Sequence, residues 1–159
     1  MTELAREARR RLWPVLDDAL ARVGGFATAT VPREGYVGSV ACGIREVEEE
    51  LASAGFSFGL VAALKDRVCP AGGEVEAGSW VCRDARLARH QLHVHLFDGA
   101  GDGYTDVYAH HEPSWIRHPL RHVRVQDCDH ARGVDEVRAV LEDRGVAVEH
   151  RDLGERCQI

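Results

Sequence analysis

Residues 90–111 read HQLHVHLFDGAGDGYTDVYAHH, and this stretch decides the fold of the chain. In residues 90–97 the apolar and polar side chains alternate, which is typical of a β-strand with two different faces. The next six residues, DGAGDG, are rich in glycine and aspartate and favour a turn. Residues 104–111 form a second strand-like segment. The pattern therefore predicts an antiparallel β-hairpin over about residues 89–111.

The predicted hairpin has one apolar face and one polar face. If residues 98–103 form the loop, Phe97 pairs with Tyr104, and this register brings the polar side chains of the two strands together. The opposed polar pairs are then His95 with Asp106, His93 with Tyr108, and Gln91 with His110. The apolar face, which is expected to carry the core, holds Leu92, Val94, Leu96, Thr105, Val107 and Ala109.

Three histidines on the polar face have the spacing of a metal site. His93 and His95 lie two residues apart on one strand, and His110 reaches them diagonally from the other. Three imidazole ligands suit zinc and leave a fourth coordination position open, whereas two histidines with Asp106 suit non-haem iron. The sequence therefore predicts zinc or another divalent metal as cofactor. A metal of this kind supports hydrolysis.

Two other interpretations of the same face remain open. In the first, Asp106 orients a histidine and Tyr108 stands nearby, so that both residues take part in metal-free acid–base catalysis on a phosphodiester or a nucleic acid strand. In the second, the histidines lie on a solvent-exposed sheet face or form satisfied pairs with Asp106, without a catalytic role.

A basic segment follows the hairpin. This segment contains Arg117, Arg121 and Arg124 and no acidic residue between them, and Trp115 precedes the arginines. Guanidinium groups match carboxylates and phosphates geometrically, so these four residues are candidates for binding an anionic small molecule. Two alternatives are a surface crossover whose arginines pair with the acidic residues 46–50, and a protein-interaction module built around Trp115.

Helical periodicity occurs outside the hairpin, at residues 2–23, 43–54 and 130–144. Helices interspersed with antiparallel strands predict an α+β fold with an antiparallel sheet. The length of 159 residues fits a single globular domain over residues 1–159.

Composition narrows the classes of function. A formal net charge of −6 argues against nucleic acid as the default partner. The sequence contains no apolar run long enough to predict a membrane segment, and the charged N-terminal residues are not typical of a signal peptide. Five cysteines without C-x-x-C spacing indicate reduced thiols, and we therefore expect a cytoplasmic protein. The sequence leaves the oligomeric state open.

Overall fold

The computed structural model describes residues 15, 18–22, 24, 28–59, 66–68, 78–99, 103–119, 121 and 127–152. Most of the helix predicted at residues 2–23 lies outside these ranges, although residues 18–21 are helical. The helix predicted at 43–54 is observed as α1, Ile44–Ser53, and the one predicted at 130–144 is observed as α2, His130–Asp143.

Eight strands occur within the described residues. They are β1 (Thr28–Thr30), β2 (Tyr36–Val40), β3 (Ser57–Phe58), β4 (Asp66–Val68), β5 (Gly78–Cys82), β6 (His90–Gly99), β7 (Tyr104–Pro113) and β8 (Val148–Glu149). Strands β1 and β4 form a parallel pair. The other six form one sheet in the order β3-β5-β6-β7-β2-β8, and every neighbouring pair in it is antiparallel. The predicted α+β class with an antiparallel sheet is therefore confirmed.

The central hairpin is confirmed, but its predicted register is wrong by two residues. Both strands are longer than expected, and the closing pair is Gly99 with Tyr104 rather than Phe97 with Tyr104. The observed polar pairs are His93 with His110, His95 with Tyr108, Gln91 with Glu112, and Phe97 with Asp106. Asp98 and Gly99, which were predicted to lie in the turn, pair with β7 instead. The connection between the two strands therefore consists of residues 100–103. Because a shift of two residues preserves the side-chain faces, every residue stays on its predicted face.

The apolar face of the hairpin forms the core, as predicted. Buried side chains of both helices pack there against β2, β6 and β7. The cluster consists of Val37, Val40, Val47, Leu51, Phe56, Leu92, Val94, Leu96, Val107, Ala109, Val137 and Leu141. Val47 and Leu51 come from one face of α1, and Val137 and Leu141 come from one face of α2.

Helix α2 lies close against β7 at His110. Asp129 caps the helix, since its side chain accepts a hydrogen bond of 3.0 Å from the Arg132 backbone. One turn later, Gly133 contacts the backbone of His110 so closely that a Cβ atom at this position would clash with it. The absence of a side chain at Gly133 therefore allows α2 to pack directly against the backbone of His110, one of the predicted metal ligands.

Two further expectations can be examined within the described residues. Cys42, Cys82 and Cys128 are free thiols, whereas Cys69 and Cys157 lie outside the described ranges. In the part of the chain that the structure describes, no helix has both the length and the apolar character needed to cross a bilayer.

Candidate metal centre

The polar face of the hairpin is as deeply buried as the apolar face. His93 is 0% exposed, His95 is 1% exposed and His110 is 5% exposed. The interpretation of this face as a solvent-exposed sheet surface is therefore wrong. Because buried polar groups are costly unless they are paired or bind an ion, the contacts of these histidines determine what the face can do.

The three histidine rings converge as the metal hypothesis requires. The ring centres of His93 and His95 are 4.1 Å apart, and that of His110 lies 5.1 Å from His93 and 5.3 Å from His95. One potential ligand atom from each ring lies within 4.8 Å of the other two. The corrected register causes this closeness, because it places His110 directly opposite His93 rather than diagonally.

Polar groups approach both ring nitrogens of His93. Its Nε2 atom lies 2.6 Å from the hydroxyl of Ser79, which β5 contributes, and its Nδ1 atom lies 2.8 Å from Oε1 of Glu112. Burial lowers the pKa of His93 well below its usual value, His95 acts in the same direction, and Glu112 opposes the shift. His93 is therefore neutral at physiological pH, and neutral imidazole is the form that binds metals.

Glu112 is one of two buried carboxylates on this face, and it is only 2% exposed. Its Oε1 atom accepts a hydrogen bond of 2.7 Å from the Gln91 amide, and Gln91 in turn accepts one of 2.9 Å from Arg83. Its Oε2 atom lies 3.3 Å from Nε2 of His110. Glu112 thus contacts two of the three predicted metal ligands.

The sequence interpretation missed Glu112 and Ser79 for different reasons. Glu112 follows His110 by two residues and therefore lies on the same face of the strand, but the predicted strand ended at residue 111, before Pro113. Extending the alternation by one step would have found it. Ser79 carries no such signal, because only the pairing of β5 with β6 brings it to His93.

A second set of potential ligands shares His110 with the first. One ligand atom each from His110, Glu112 and Cys128 lies within 4.8 Å of the other two. Cys128 is positioned by its neighbour Asp129, whose backbone forms two hydrogen bonds, of 2.9 and 2.8 Å, with His111 on β7.

The two predicted catalytic residues lie on the same buried face. Asp106 is opposite Phe97 and not opposite His95 as predicted, and Tyr108 takes the place opposite His95. Asp106 accepts a hydrogen bond of 2.6 Å from Ser39, whose hydroxyl lies 2.7 Å from that of Tyr36. A bulge in β2 between Tyr36 and Gly38 pairs Tyr36 with Tyr108 and Ser39 with Asp106, so that both β2 residues share this face.

The described residues of the predicted anion-binding segment lie at the surface. Trp115 and Arg117 are exposed, and the guanidinium of Arg117 lies 3.5 Å from the Leu87 carbonyl. Arg121 is exposed and forms an ion pair of 3.3 Å with Asp127, whereas Arg124 is outside the described residues. None of these described contacts joins the segment to residues 46–50, and Glu50 pairs instead with Arg144.

A cleft of about 570 Å³ opens beside the bulge in β2. It is lined by Arg33, Tyr36, His150, Arg151 and Asp152. The hydroxyl of Tyr36 connects this cleft to the buried face through the hydrogen bonds to Ser39 and Asp106.

No protein-family model, curated protein or solved structure matches this chain. The function is therefore inferred from the geometry of the buried polar face.

Proposed function

We propose that this protein binds a divalent metal, zinc in the first instance, through His93, His95 and His110. The observation that supports the proposal is the convergence of three buried histidines, whose potential ligand atoms lie within 4.8 Å of one another on two neighbouring strands. Three imidazoles in a fixed arrangement are a common zinc set and leave a fourth position for water.

The contact with Ser79 indicates which nitrogen of His93 binds the ion. Because Nε2 is engaged by the Ser79 hydroxyl at 2.6 Å, Nδ1 is the nitrogen that we assign to the ion. Ser79 would then accept a hydrogen bond from Nε2–H of His93 and fix both the tautomer and the orientation of the ring. Residues that contact the far nitrogen of a metal-bound histidine commonly act in this way.

The reaction that we propose for this centre is hydrolysis of an anionic small molecule by a metal-activated water. Asp106 and Tyr108 are the proposed proton-transfer residues, since they share the buried face with the histidines. Arg117, Arg121, Arg124 and Trp115 are the proposed binding residues for the anion. The three free cysteines among the described residues agree with a cytoplasmic location, which remains part of this proposal.

A metal-free function is the second candidate, and one specific contact chain favours it. Ser79 reaches Nε2 of His93 at 2.6 Å, and Glu112 reaches Nδ1 of the same ring at 2.8 Å. A hydroxyl, an imidazole and a carboxylate in this order are the three groups that act as nucleophile, base and orienting acid. In this alternative, His93 moves protons in a phosphodiesterase or nuclease reaction.

Metal analysis of purified protein distinguishes the two candidates. We expect the wild-type protein to bind one equivalent of zinc after removal and replacement of metal, and His95→Ala to lose at least 100-fold in zinc affinity. His90→Ala is the matched control, because His90 is exposed and lies at the first position of the same strand. We expect this control to bind zinc like the wild type.

Two outcomes would reject the metal proposal. The first is metal-replete wild-type protein that binds no zinc, and the second is a folded His95→Ala variant with full zinc affinity. Phosphodiester hydrolysis that persists with a chelator present and disappears in Ser79→Ala would support the metal-free alternative.

A further inference from the structure

The potential ligand atoms beside the hairpin form two sets, and the proposed function uses only the three histidines. The second set consists of His110, Glu112 and Cys128, and one ligand atom of each lies within 4.8 Å of the other two. We propose that this second set, the thiolate set, is a separate binding site for a soft divalent cation. It shares only His110 with the three-histidine set, and therefore goes beyond the proposed function.

The spacing of His110 and Glu112 fits two ligands of one ion. Oε2 of Glu112 lies 3.3 Å from Nε2 of His110. The ligand atoms of a tetrahedral ion with bonds of about 2.0–2.2 Å lie about 3.3–3.6 Å apart. The other carboxylate oxygen, Oε1, lies 2.8 Å from Nδ1 of His93 and accepts a hydrogen bond from Gln91. The two oxygens of Glu112 therefore approach different groups, and Oε2 is the oxygen that approaches His110.

The Nε2 atom of His110 gives a second and independent indication of a ligand. His110 is 5% exposed, and its Nε2 atom makes no hydrogen bond to any of the described residues. A buried polar atom without a hydrogen-bond partner costs free energy and calls for an explanation. A cation bound at this nitrogen would remove the cost.

Cys128 brings a thiol to this place from outside the hairpin. Its neighbour Asp129 forms two backbone hydrogen bonds, of 2.9 and 2.8 Å, with His111 on β7, and the Asp129 side chain also caps α2. Cys128 is partly exposed, whereas His110 and Glu112 are buried. The thiolate set therefore extends from the buried face towards the surface, unlike the three histidines.

The donors of the thiolate set select a softer ion than three imidazoles do. Imidazole suits zinc, whereas thiolate sulfur adds affinity for softer ions. Binding releases the thiol proton of Cys128, and the thiolate and the Glu112 carboxylate then carry two negative charges that neutralise a divalent cation. We therefore expect zinc to prefer the three-histidine set and a softer divalent ion, such as Cd²⁺, to prefer the thiolate set.

The two sets cannot both be filled, because they share His110. A neutral imidazole has one unprotonated nitrogen, so this ring binds one ion at a time. A cation in the thiolate set thus takes a ligand from the three-histidine set. Cd²⁺ added to zinc-loaded protein is expected to release one zinc ion for each Cd²⁺ bound.

Cadmium titration of metal-free protein tests the inference. The wild type is expected to gain the near-ultraviolet charge-transfer band of a cadmium–thiolate bond. Cys128→Ser is expected to lose this band and at least 10-fold in Cd²⁺ affinity, with unchanged zinc affinity. Cys82→Ser is the matched control, because Cys82 is also a free, partly buried thiol, and it is expected to keep the band.

A second variant keeps the test decisive if Cys128→Ser does not fold. His95→Ala is expected to keep the cadmium band, because His95 is not part of the thiolate set. A wild type without the band, a folded Cys128→Ser variant that retains it, or a folded His95→Ala variant that loses it overturns the inference. Cadmium binding without release of zinc overturns the shared role of His110. A wild type that shows the band but binds no zinc overturns the proposed function and leaves the thiolate set intact.

Discussion

The two faces of the β6–β7 hairpin are both buried, yet their chemistry differs. One face packs Leu92, Val94 and Leu96 against the two helices. The other face places His93, His95 and His110 within a few ångströms of one another, beside Glu112. On the first face, burial itself is the source of stability, since apolar surface leaves water. On the second, burial is costly, and specific contacts must offset it.

This difference separates stability from function within one pair of strands. A substitution on the apolar face is expected to change the free energy of unfolding, with little effect on a bound ion. A substitution on the polar face is expected to change ion affinity, and stability only through the contacts it removes. The four predictions below test this separation.

The largest expected effect is on the apolar face. Leu96 is 0% exposed, so Leu96→Ala is expected to lower the free energy of unfolding by about 2–5 kcal/mol, because it removes buried methyl groups and leaves a cavity. Chemical denaturation measures this loss. Leu87→Ala is the control, since Leu87 is 64% exposed, and it is expected to change stability by less than about 0.5 kcal/mol. Equal effects of the two substitutions would contradict the assignment of the core.

On the polar face, Ser79→Ala is expected to weaken metal binding without abolishing it. Loss of a group that orients a metal-bound histidine typically costs about 10–100-fold in affinity, which is about 1.4–2.8 kcal/mol. Competition with a metal-binding dye measures the change. Ser57→Ala on β3 removes a hydroxyl that donates a hydrogen bond of 3.4 Å to the Val81 carbonyl and is the matched control. A Ser79→Ala variant with wild-type affinity would show that Ser79 does not position His93.

The pH dependence of stability also distinguishes the two faces. The pKa of His93 in the folded protein is lowered, mainly by burial, so the unfolded chain binds a proton more readily. The stability contribution of neutral His93 is therefore fully present above the unfolded pKa of about 6.5 and is lost as the pH falls below it. Burial also lowers the pKa values of His111 and His130, which adds to the effect with the same sign.

Thermal unfolding of metal-free protein between pH 7.5 and about 5 measures this loss. His93→Gln is expected to show a smaller decline than the wild type, because the buried titrating group is gone. An equally steep decline in folded His93→Gln would assign the effect to other groups.

The smallest expected effect lies outside the hairpin. Arg121 forms an exposed ion pair with Asp127, and such pairs contribute little to stability. Arg121→Ala is expected to change the free energy of unfolding by less than about 0.5 kcal/mol and to leave zinc affinity unchanged. If it nevertheless weakens the binding of inorganic phosphate, the proposed anion-binding role of this segment is supported. Unchanged phosphate binding would remove Arg121 from that role.

Local patterns in the sequence were sufficient to predict the ends of the helices and the faces of the hairpin. The ends of α1 and α2 follow from helical spacing, the Asp129 cap and the glycines that follow each helix. The assignment of each hairpin residue to the apolar or the polar face follows from the two-residue period of a strand. This assignment survived the error in register, because an even shift cannot move a side chain to the other face.

Other features depended on contacts between distant parts of the chain. The length of the hairpin loop decided that His93 faces His110, and the glycine-rich composition of residues 98–103 fits several loop lengths. The contact of Ser79 with His93 exists because β5 pairs with β6, and that of Ser39 with Asp106 exists because β2 pairs with β7. No local pattern encodes these pairings.

By itself, the sequence determined which side chains share a face of each strand and helix, because backbone geometry fixes that periodicity locally. Only the tertiary structure decided that the histidine face is buried and that Glu112 and Ser79 complete it. Burial of a face depends on what packs over it, and the distance between two side chains depends on strand register. Both are set by the competition among all pairings of the chain and not by any one segment.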